Sequence, residues 1–145
     1  MTKNSYPLHF GERRETFEFE SIGPKGVIIK VIEFSFMAEN LWNLAFGDKI
    51  DDDWSDSIVS NNEDLVRVIS TVAKAVFEFS DRWPTRQIYI EPVDEKRKRL
   101  YHSIFHRHFE TIELDFQIFG LANEKADFYD SALFYDAFIL LRKSN

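Results

Sequence analysis

Fifteen phenylalanines in a chain of 145 residues without a cysteine set the first limit on the fold. So many large apolar rings must be covered by packed backbone and side chains alone, with no disulfide or zinc-thiolate staple to help. Aromatic residues reach 16% and hydrophobic ones 44%, which is too much apolar material for a disordered chain. A chain of this length buries roughly 70% of the surface its unfolded form exposes, so one domain covering residues 1–145 is expected. The absence of thiols fits a reducing compartment. Residues 1–15 hold no continuous apolar stretch and no later run is long enough to span a bilayer, so a cytoplasmic protein that does not engage membranes is expected.

Hydrophobic periodicity divides the chain. Phe17 and Phe19, a turn at Ser21-Ile22-Gly23-Pro24-Lys25-Gly26, the run 27–32 and its alternating continuation to Phe36, and then residues 41–46 read as a three-stranded antiparallel meander. Ser60-Asn61-Asn62-Glu63 has the form of a capping box. It should open a helix whose apolar positions run from Leu65 to Trp83, widened by Val66, Ala73 and Phe77, with Pro84 stopping it. Residues 87–90 form a short strand. Asp94 caps a second helix with Leu100, Tyr101, Ile104, Phe105, His108 and Ile112 on its apolar face. Residues 114–119 and 134–141 read as strands, with a helical turn or two expected over 124–132. The expected class is therefore α+β, a mostly antiparallel sheet of about six strands in the order β-β-β-α-β-α-β-(α)-β with two main helices packed on it.

Read in order, Phe46-Gly47-Asp48, Ser60-Asn61-Asn62 with Asp64, Thr71-Val72-Ala73, Arg97 with Arg99-Leu100-Tyr101, Phe119-Gly120 and Tyr135-Asp136-Ala137-Phe138 resemble a family of uncharacterised bacterial proteins, mostly from Bacteroidetes, that share a domain of unknown function. The resemblance runs from about residue 17 to 143 and implies no activity. Where that family has a Gly-Ser-Thr turn before the arginines, this chain has Pro92-Val93-Asp94. Pro92 lacks an N–H and Asp94 repels anions, which works against a phosphate site at that helix start. The order helix, strand, Arg-bearing helix and strands is also similar to the C-terminal half of acyl-CoA N-acetyltransferases. Their glycine-rich pyrophosphate loop is replaced here by residues 60–64, with two acids and no glycine.

Charge supplies the candidate sites. The chain carries a net charge of −7, which opposes nucleic-acid binding. Against that background Lys96, Arg97, Lys98, Arg99 and Arg107 gather on the second helix, opposed by Asp94 and Glu95. Cations in a first turn oppose the helix dipole by a few tenths to about 1 kcal/mol each, so Arg97, Lys98, Arg99 and Arg107 are candidates for gripping a phosphate-bearing small molecule or an acidic protein surface. Asp48, Asp51, Asp52, Asp53 and Asp56 form an acidic loop whose spacing misses a calcium-binding loop, since Ser57 stands where glycine is needed. The loop could instead meet the basic helix of the same or a second molecule as a homodimer. His102 and His106 are four apart without an H-E-x-x-H frame and are read as solvent-facing, while His108 is read as a hydrogen-bonded core histidine. No nucleophile elbow, P-loop or Rossmann signature is present, Ser60 is read as a cap and Tyr101 as a core residue; no metal and no cofactor is expected. A non-enzymatic interaction or regulatory domain is the first functional expectation. An acyl-CoA-like metabolite enzyme with Arg97, Lys98 and Arg99 on the anion is the second.

Overall fold

The computed structural model describes residues 4–55 and 61–144. They form two helices, α1 (Leu65–Arg82) and α2 (Glu95–Ile112), and nine strands: β1 (His9–Phe10), β2 (Thr16–Gly23), β3 (Gly26–Ala38), β4 (Leu41–Ile50), β5 (Asp53–Ser55), β6 (Gln87–Ile90), β7 (Phe116–Ala122), β8 (Lys125–Phe128) and β9 (Ala137–Arg142). Hydrogen bonding orders the strands β1-β2-β3-β4-β6-β9-β7-β8, with β5 on β4 beside that path. The class is α+β, and the sheet is mixed: β4 and β6 pair in parallel, Trp42 opposite Ile88. The expectation of about six mostly antiparallel strands missed β1, β5 and β8. Residues 124–132, expected to be helical, instead contribute β8.

Contacts divide the chain into two compact units, one of Met1–Ser35 with Ala45–Trp83 and one of Phe36–Leu44 with Pro84–Asn145. In the first unit, β2 and β3 pair in the register Phe17 to Ile32 and Phe19 to Lys30, so Phe17, Phe19, Lys30 and Ile32 share one buried face. Phe79 of α1 stacks on Phe34 with ring centroids 4.1 Å apart, and Phe17 meets Phe34 edge-on at 5.8 Å. Val68, Ala75 and Val76 complete the helix's buried stripe. The first turn does not join it, since Leu65 is 50% and Val66 77% exposed.

That helix starts at Leu65, and Asp64 occupies the cap position without a side-chain cap bond. Its carboxylate has other donors: the Tyr6 hydroxyl and the Ser21 hydroxyl both reach Oδ2 at 2.6 Å. Asn62, 1% exposed, donates through Nδ2 to the Gly26 carbonyl and accepts from the Lys25 N–H. Asn62 and Asp64 thus tie the helix entrance to the β2–β3 turn and the Tyr6 segment, and the expected capping box does not form as read: the Glu63 N–H bonds Asn61 Oδ1 at 2.9 Å. Ser60 itself lies outside the described residues. Burial first, and then the bond to Asp64, push the Tyr6 hydroxyl above its ordinary pKa.

In the second unit α2 begins as the sequence requires, with Asp94 Oδ1 accepting the Arg97 N–H at 2.8 Å. Phe105 stacks on Phe138 of β9 at 4.1 Å, and Ile88, Phe116, Ile118 and Leu140 fill the core around them. The rest of the expected apolar face, His108 included, is only half-buried. Gly120 allows Tyr135 to lie against β7, since a Cβ there would fall 2.3 Å from the ring. Tyr135 in turn accepts the Asp130 N–H at its hydroxyl, fixing the chain just before β9. No helix among the described residues is long and apolar enough to cross a membrane.

Candidate functional site

The start of α2 opens into a cleft of about 750 Å³, all of it within the second unit, bordered by β6, the segment that follows it, the β7–β8 turn and the start of β9. Five carboxylates line it, those of Glu91, Asp94, Glu95, Glu124 and Asp136, against one cation, Lys98. Tyr89 and Leu121 contribute ring and aliphatic surface. Each acid has a local reason for its place. Asp94 caps the helix, Glu95 follows it into the first turn where the dipole favours acids, and Glu124 sits in the two-residue turn between β7 and β8 with φ of 64°.

Lys98 turns out of the basic row and into this cleft. Its Nζ lies 2.7 Å from Asp136 Oδ1 and 5.4 Å from the centre of the Phe134 ring. The bond to Asp136 raises the lysine's pKa, and the same bond and charge lower that of Asp136, so the two directions agree. Burial, and then the charge of Glu91, raise the Tyr89 phenol. Asp136 folds with its pKa depressed, so its stabilising contribution is present above the ordinary carboxylate range and is lost as pH falls through the lower folded value. NMR titration should therefore place Asp136 below the ordinary range in the native protein and move it upward in Lys98→Met. An unchanged titration in that variant would contradict the pairing.

The other candidates separate. Arg97 is half-buried and has contacts of its own. Lys96, Arg99 and Arg107 are exposed and make no ion pair among the described residues. Among the described residues the acidic loop does not form one unit. Asp48 lies in β4, 3% exposed, with Oδ1 2.5 Å from the ammonium of Lys30, which is itself 1% exposed. Asp51 and Asp52 make the tight turn into β5, where Asp53 accepts the Trp54 N–H. Asp56 falls outside the described residues. Among the described residues no group of three His, Asp or Glu side chains could hold a metal. His102 lies on the Phe134 ring at 4.4 Å and His106 Nδ1 meets the Ser131 carbonyl at 3.2 Å, so both face the loop between β8 and β9. Tyr89, Glu91 and Glu124 were missed as site residues because three stretches of chain, 89–98, 121–124 and 136–137, bring the lining together, and no spacing in the sequence signals that.

The pattern of a family of unknown function, DUF6934, matches residues 2–143. The chain belongs to that family. No curated protein and no solved structure matches it. Several of the residues that carried the family resemblance have structural work in this member of DUF6934. Asn62, Asp64 and Thr71 fasten the Tyr6 segment and the β2–β3 turn, the last by accepting the Tyr6 N–H at 2.8 Å. Gly120 and Tyr135 pack on each other. Asp136 differs, because it pairs with Lys98 inside the cleft.

Proposed function

We propose that this DUF6934 chain is a non-enzymatic interaction domain that receives a cationic group of a partner, such as a lysine or arginine side chain or a polyamine, in the cleft at the start of α2. The observation that carries this reading is the lining of five carboxylates against one lysine. In a partly enclosed cleft such charges attract a cation more strongly than they would on an open surface. Lys98 supports the reading, since its ammonium bonds Asp136 and lies 5.4 Å from the centre of the Phe134 ring. The exposed outer face of α2, with Lys96, Arg99 and Arg107, adds a second charged contact outside the cleft.

The rival reading, a phosphate-bearing metabolite held by Arg97, Lys98 and Arg99, meets three obstacles. Lys98 is committed to Asp136, the Arg97 N–H to Asp94, and the surrounding acids repel phosphate. A thermal-shift panel separates the two. Oligolysine and spermine should raise the melting temperature, since a ligand at 100 times its Kd adds about 2.7 kcal/mol to a native state it binds selectively. Glu91→Gln with Glu124→Gln should abolish the rise. Stabilisation by coenzyme A or a nucleotide, with none from the cations, would overturn the proposal.

A further inference from the structure

The last strand of the hydrogen-bonded order, β8, presents an open edge whose pattern is complementary to itself, and we infer that two copies of the chain pair there, antiparallel, about a two-fold axis at Ala126. The register places Phe128 opposite Phe119 and Asp127 opposite Gly120 of β7. Tyr129 donates its N–H to the Ile118 carbonyl, so residues 125, 127 and 129 turn their backbone groups toward β7. By the alternation of an antiparallel ladder, Ala126 and Phe128 turn theirs outward. The outward Phe128 N–H takes the carboxylate of Asp127 at 2.8 Å, where a neighbouring strand would offer a carbonyl.

A second β8 laid along this edge with Ala126 opposite its own copy exchanges two N–H to carbonyl bonds between the alanines. It also sets Lys125 of each copy opposite Asp127 of the other, in the closer, non-hydrogen-bonded positions where cross-strand side chains interact most. Both residues are exposed, as is all of β8. On the opposite face Phe128, 64% exposed and stacked on Phe119 at 5.3 Å, reaches across toward the alanine of the second copy. A single register therefore gives charge complementarity on one face and apolar contact on the other, and the contact is isologous, as a two-fold dimer requires. Lysine on an edge ordinarily keeps strands apart. Here the aspartate two residues on supplies its counter-charge in the symmetric partner. With only four residues in the strand, the association is weak and depends on concentration.

Sedimentation equilibrium over a wide concentration range tests the pairing on the full chain. The wild type should show a reversible monomer–dimer equilibrium. Lys125→Asp and Asp127→Lys should each weaken it by roughly tenfold, because each creates two like-charged pairs across the axis. The double exchange should restore it, since the charges are again opposite. Ala126→Pro removes an outward N–H that β7 does not use and should abolish the dimer, with the far-ultraviolet circular dichroism unchanged. A wild type that stays monomeric throughout, a double exchange no better than either single variant, or a dimer indifferent to Ala126→Pro would each overturn the inference.

Discussion

Asp48→Ala should cost about 3–5 kcal/mol of folding stability, the range seen when one partner of a buried ion pair is removed. Lys30 is 1% exposed, so the variant would leave its ammonium in the core of the first unit without the carboxylate 2.5 Å away. Against a typical total of about 5–15 kcal/mol, this loss brings the protein close to unfolding. The two charges offset part of each other's desolvation, so replacing them together is a different experiment. Lys30→Met with Asp48→Leu should recover most of the loss, and urea denaturation of the four variants in a double-mutant cycle measures the coupling. If Asp48→Ala cost under about 1 kcal/mol, the pair would not be buried as described.

Gly23→Ala should be comparably damaging for a purely steric reason. A Cβ at this position would lie 2.0 Å from the backbone oxygen of Asn62 and 2.8 Å from its Cγ. Asn62 cannot move away easily, because Gly26 and Lys25 hold its side chain. Relief requires the β2–β3 turn and the entrance of α1 to separate, so a loss of about 3 kcal/mol or more is expected from overpacking against backbone. Gly11→Ala is the matched control, with nothing within 4 Å of its added methyl group, and should stay within about 0.5 kcal/mol of wild type. Thermal or denaturant melts of the two variants make the comparison. Equal stabilities would contradict the close approach.

Sequence periodicity revealed the elements that bury one face and failed for those that do not. β2 alternates because one side faces the core, the apolar run of β3 carries its buried centre, and residues 87–90 coincide with β6. Asp94 announced α2 because its cap bond is local. β8 gave no such signal: its four residues are all exposed at the edge, and the turn before it uses Asn123 and Glu124 at positive φ where glycine would have been recognisable. The parallel pairing of β4 with β6 was hidden because α1 separates them in the chain. Asp48 looked solvated because it stood among other aspartates. Its partner did carry a clue, since Lys30 occupies the buried phase of β3 two residues before Ile32. On the second helix the run of cations was legible, but the direction of each was not. Tertiary contact turned Lys98 toward Asp136 while Arg99 stayed in solvent.

The sign of charge that the cleft at the start of α2 accepts can be read residue by residue by following backbone amide NMR signals while oligolysine, and separately oligoglutamate, is added. Oligolysine should shift the amides of Tyr89, Glu91, Glu95, Glu124 and Asp136 in a saturable way, and oligoglutamate should leave them still. Saturable shifts from oligoglutamate at Lys96, Arg99 and Arg107, with the cleft signals silent toward oligolysine, would contradict a cation-accepting cleft.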